Sequence, residues 1–137
     1  MPIQIEIISP EKVLVSREVD MVVMPGAEGD IAAMPDHAPM MLLLRGGVVS
    51  LYENDTVTDR FFVGGGFADM TATRCTILAD KAEPVSAISI DNATAQLEAL
   101  TEAWDKADKS DMSRLDVLQD KILAVRAEIE AVSSHSA

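Results

Sequence analysis

The chain has 137 residues, 48% hydrophobic and 25% charged, which is the usage of a folded domain and not of a disordered one. Its net charge of −12 and pI near 4.4 exclude nucleic-acid binding through clustered Lys and Arg, and charge-driven docking on anionic lipid. The single cysteine, Cys75, excludes an internal disulfide and a multi-cysteine zinc site, and His37 and His135 are too far apart in sequence to suggest a shared metal, so no metal site is expected.

No stretch reaches the run of about 20 apolar residues that spans a bilayer. The opening MPIQIEIISPEK has neither the basic start nor the apolar centre of a signal peptide, and it is not Arg/Ser-rich like a transit peptide. With aromatics at 4%, the core has to be built from Val, Ile, Leu, Ala and Met.

In chain order, the first half reads as short strands. Ile3, Ile5 and Ile7 alternate with polar neighbours. The runs 12–17 and 19–24 are rich in β-branched residues. The segment PGAEGD at 25–30 is a turn, and Pro35 to Pro39 is a second one. MMLLL at 40–44 reads as a buried run, with Leu42, Leu43 and Leu44 filling the core. Gly46-Gly47 breaks the chain before a strand at 48–53, and Asn54-Asp55 forms a hairpin tip leading to 56–63. Gly64 to Gly66 bends the chain before FADMT, and CTILAD at 75–80 is the last strand. Many short strands at near-regular spacing indicate a sandwich or barrel.

The character changes at residue 84. All seven glycines and six prolines lie at or before Pro84, and the 53 residues that follow contain neither. Ala93, Leu97, Leu100, Trp104 and Ala107 recur at helical spacing, with Asp91 as candidate N-cap. A polar link at 108–111 precedes Leu115, Leu118, Ile122, Val125, Ile129 and Val132, a seam of nearly three heptads. Each helix has one apolar stripe and a charged back, and on the second Asp116, Asp120, Glu128 and Glu130 stand against Arg114, Lys121 and Arg126. Such helices gain from facing each other as an antiparallel hairpin. The expected division is a β domain over 1–84 and a helical hairpin over 85–137.

No catalytic machinery is legible. The glycines at 64–66 lack the Lys-Ser/Thr end and following helix of a phosphate loop. Asp36-His37 has no nucleophile motif beside it, and Cys75 reads as a small buried hydrophobe. Two other classes stay open on residues alone: a small-molecule binder using the sandwich cavity, and a nucleotide sensor built on the hairpin.

The segments PGAEGDIAAMPDHAPMMLLLRGGVV at 25–49 and FFVGGGFADMTATRCTILADKAE at 61–83 resemble the epsilon subunit family of F-type ATP synthases. The resemblance covers essentially the whole chain. It implies a ten-stranded β-sandwich followed by an antiparallel two-helix hairpin, and no catalysis by this chain alone. It implies a place at the foot of the central stalk, bound to the gamma subunit and resting on the ring of c subunits. The role would be to couple proton translocation to ATP synthesis. The location would be the cytoplasmic face of the bacterial inner membrane, reached only through the complex.

On this resemblance, Asp30 and His37 would meet the ring loops, with Asp30 as a turn cap the alternative. Arg114, Lys121 and Arg126 would be the residues offered to the alpha/beta catalytic head when the hairpin blocks ATP hydrolysis. The hairpin carries a net charge of −5, so that inhibition is expected to be weak. Some members hold ATP through an Ile-Asp-x-x-Arg-Ala pattern. Here Ile90-Asp91 is followed by Thr94 where the Arg would stand, which leaves Asp91 without the guanidinium that would bind phosphate. No cofactor is expected.

Overall fold

The structure, a computed structural model, describes residues 2–36 and 38–135, and the side chains of these up to Ser133. Two compact units divide at Val85/Ser86. In the first, eight strands form one connected sheet: β1 (Ile3–Ile8), β2 (Val13–Val19), β3 (Met21–Gly26), β4 (Gly29–Ala33), β5 (Met40–Glu53), β6 (Thr56–Met70), β7 (Arg74–Ala79) and β8 (Ala82–Pro84). Their order is β2-β1-β7-β6-β5-β3-β4, with β8 paired to β6. Every pairing is antiparallel except β1 with β7.

Eight strands replace the ten expected, because β5 and β6 each run unbroken where two strands were anticipated. Gly46 and Gly64 face each other in the ladder, as do Leu44 and Gly66. The glycines among them lack a Cβ, so the strands bend there and stay paired, where the sequence had suggested a break. Gly65 and Gly66 adopt φ values of +112° and +130°, which only glycine takes readily. The first part of β6 pairs with β8 and the second with β7, so one strand serves both halves of the sheet.

The sheet therefore folds over on itself and encloses a single aliphatic core. Ile3, Ile5, Ile7, Val22, Met24, Val49, Leu51, Val63, Met70 and Ile77 are all fully buried in it. Two-residue periodicity explains the assignment: β1 and β7 each bury alternate residues. Arg17 on the edge strand β2 reaches β6, donating to Thr58 Oγ1 at 3.0 Å and pairing with Asp59. Asn54 and Asp55 sit at φ +53° and +62°, the geometry of a tight hairpin turn, and Asn54 N donates to Asp20 Oδ2 at 2.7 Å.

Cys75 is fully enclosed, and burial, with a smaller push from Asp69, raises its thiol to about 12. An unfolded thiol loses its proton near pH ~8.5. Between those values the folded state holds the extra proton, so stability falls as pH rises from about 8.5 towards 12. Urea midpoints at pH 8, 9 and 10 should decline, and Cys75→Ala should flatten that alkaline slope. A native slope equal to that of the variant would contradict this.

A 3-10 turn at Val85–Ala87 spans the boundary, and the second unit holds α1 (Ile90–Lys106) and α2 (Met112–His135), which pack against each other. Ser89, not Asp91, caps α1, its Oγ accepting from Asn92 N at 3.2 Å. Asp91 stands one residue inside the first turn, where the helix dipole favours its charge. Lys109 donates to the carbonyls of Trp104 and Ala107 and lies 5.3 Å from the Trp104 ring centroid, closing the C-terminus of α1. Asp111 Oδ1 accepts from Arg114 N at 3.2 Å and so caps α2. Leu115, Leu118 and Val125 are buried as the seam requires. Glu128 is also buried, at 4% exposure.

Candidate docking surface

The outer face of β5, β6, β7, β1 and β2 carries an apolar row set by strand register. Leu43 pairs with Phe67, Phe67 with Leu78, Leu78 with Ile8, and Ile8 with Val13. Neighbours in a ladder present side chains to the same face, so these five make one continuous band. Leu43, Phe67, Leu78 and Val13 are each more than half exposed. Isolated exposed apolar residues are ordinary, but a contiguous band is the mark of a surface that another molecule covers.

Polar residues border the band. The adjacent register positions on β6, β7 and β1 are Asp69, Thr76 and Glu6, with the exposed Met41 beside them on β5, and Arg74 Nη1 lies 3.4 Å from Glu6 Oε1. An apolar centre with a charged edge is the usual anatomy of a protein interface. The sequence reading had placed Leu43 in the core with Leu42 and Leu44. Of these three leucines only Leu44 is buried, Leu42 is partly buried against the core, and Leu43 points the other way.

The β3–β4 hairpin adds a second surface feature. Its tip is Ala27-Glu28, and Ala27 N donates to Leu43 O at 2.9 Å. Asp30 follows on β4, and its Oδ1 accepts from Arg45 Nη2 at 2.8 Å. His37, expected beside Asp30 on the same end, lies outside the described residues. Its neighbour Asp36 is exposed at φ +68° and donates its N–H to Ala72 O at 2.7 Å.

On α2, Arg114, Lys121 and Arg126 are all exposed. Seven residues of helix bring Arg114 and Lys121 to nearly the same side, while Arg126 is turned about 140° from Lys121. The three therefore do not form one patch. Asp91 is exposed in α1, with Thr94 exposed one turn on. Among the described residues, no group of His, Cys, Asp and Glu is arranged to hold a metal, and no helix is long and apolar enough to cross a membrane.

Residues 2–85 match the family described as ATP synthase, Delta/Epsilon chain, beta-sandwich domain. An ATP synthase epsilon chain from Gluconacetobacter diazotrophicus is 64% identical over 131 residues, covering 96% of this chain and 93% of that one. The chain belongs to the ATP synthase epsilon-chain family. A further epsilon chain, from Rhodospirillum rubrum, is 42% identical over 127 residues and covers 90% of this chain and 95% of its own length.

Among solved structures, the mitochondrial ATP synthase of Euglena gracilis (OSCP, F1 and c-ring) contains a chain with TM-score 0.73 at 16% identity, covering 92% of this chain and 80% of that one. The central stalk and c-ring of the Tetrahymena thermophila mitochondrial enzyme contains one with TM-score 0.61 at 12% identity, covering 96% of each. At those identities the likeness is one of fold. As an epsilon-family chain, this protein is a subunit of ATP synthase.

Proposed function

We propose that this chain is a non-catalytic rotor subunit at the foot of the ATP synthase central stalk, coupling proton translocation to ATP synthesis. The observation that carries the reading is the exposed apolar band on a sandwich whose family works inside that complex. The band, Leu43–Phe67–Leu78–Ile8–Val13, takes the gamma subunit. The β3–β4 tip with Asp30, and the segment containing His37, face the polar loops of the c-ring. Binding through these surfaces holds the chain peripherally at the cytoplasmic face of a bacterial inner membrane.

The hairpin inhibits ATP hydrolysis weakly or not at all in this reading. Its net charge of −5 opposes docking on acidic surface, and its three helix-α2 cations do not converge. It binds no ATP, since Thr94 supplies no phosphate ligand beside Asp91. Reconstitution of the complex with the full chain and with a chain ending at Glu83 tests both parts. Both forms are expected to assemble one-to-one with gamma, with ATPase rates agreeing within about twofold. Failure of either to join gamma refutes the stalk role, and a severalfold faster rate on truncation refutes weak inhibition.

A further inference from the structure

We propose that the β3–β4 tip offers its partner an ion pair and not a bare carboxylate, with Arg45 as the positioning residue for Asp30. This deepens, and rests on, the ring-contact reading above.

The pair is built across three strands. Asp30 sits on β4 opposite Pro25 of β3, and Gly26 of β3 pairs with Leu44 of β5, the residue before Arg45. The guanidinium therefore crosses the whole of β3 to reach Asp30 Oδ1 at 2.8 Å. Gly47 leaves the route open: a Cβ there would lie 2.8 Å from Pro25 Cβ and 3.7 Å from Arg45 Nη1. The tip backbone is tied to the same strand through Ala27 N and Leu43 O. Leu43 and Arg45 are two apart on β5 and share a face, so the pair stands at the end of the apolar band.

Both side chains are well exposed, at 46% for Arg45 and 64% for Asp30. A pair this open contributes little to folding. Its effect is instead to fix the carboxylate before a partner arrives, which lowers the ordering cost of binding. The bond uses one carboxylate oxygen and one guanidinium nitrogen. The complementary segment then supplies a donor for Asp30 and, beside it, an acceptor for Arg45. A loop carrying a cation next to free backbone carbonyls fits. A loop offering only cations is repelled by Arg45.

The test uses a gamma–c-ring assembly isolated without this chain and rebound to the native chain, Arg45→Gln, Asp30→Asn, or the exchange Asp30→Arg/Arg45→Asp. Dissociation rates are measured over a range of salt. Each single variant is expected to leave about three- to fivefold faster, with a shallower salt dependence. The exchanged chain keeps the native melting temperature, because the internal pair survives, yet leaves at least as fast as the single variants. A native rate for Arg45→Gln alone, with Asp30→Asn still loosened, overturns this inference and leaves the ring contact standing. A native rate for the exchanged chain also overturns it. Native rates for every variant overturn the ring-contact reading itself.

Discussion

Phe67→Glu is expected to weaken association with gamma about 30-fold or more while the sandwich stays folded. Phe67 is the middle of the apolar band, paired with Leu43 on one side and Leu78 on the other. Truncating a central aromatic of an interface costs about 2–4 kcal/mol, and about 1.4 kcal/mol is a tenfold change in affinity. Glu adds the cost of drying a carboxylate against apolar neighbours. In the free chain Phe67 is 53% exposed, so the substitution should move the melting temperature by no more than about 2 °C. Titration of purified gamma with each chain, beside a thermal melt, separates binding from folding. Native affinity for a folded Phe67→Glu chain would remove the band from the gamma contact.

Gly66→Ala should act in the opposite way, on the fold. A Cβ at Gly66 would lie 2.1 Å from Leu78 O and 2.9 Å from Ala79 Cα, atoms of the β7 backbone, which has no room to retreat. The φ of +130° is also unfavourable for any residue with a side chain. Together these should cost about 3 kcal/mol or more, enough to lower the melting temperature by more than about 10 °C. Gly29→Ala is the comparison. It shares a positive φ of +144°, but a Cβ there meets nothing within 4 Å, so the loss should be near 1 kcal/mol. A Gly66→Ala chain that melts within about 3 °C of native would contradict this account of the bend.

Much of the architecture was legible before any coordinates. The isoleucine alternation marks β1, Asn54-Asp55 marks the tight tip, and the loss of glycine and proline after Pro84 marks the helical part. What escaped was relational. Whether Gly46-Gly47 ends a strand or bends it depends on its ladder partner, Gly64, which lies 18 positions further along the chain. Ser89 displaced Asp91 as the cap because both are good capping residues, and the first apolar position in the stripe does not fix where the helix begins. The docking band was hidden for a similar reason. Leu43 reads as a core residue in its own strand, and only the register brings it together with Phe67 and Leu78 on the outer face. The Asp30–Arg45 pair joins β4 and β5, which follow one another in the chain but are separated in the sheet by β3, so no local pattern announces it.

The continuity of β5 and β6 has a mechanical consequence. Layers joined only by interlocking side chains can shear past one another under load. Here 14 and 15 residues of unbroken backbone, roughly 45–50 Å of chain each if fully extended, run from one layer into the other. A twist applied at the β3–β4 end would then be resisted by the continuous backbone as well as by packing, which suits the rotor role proposed above.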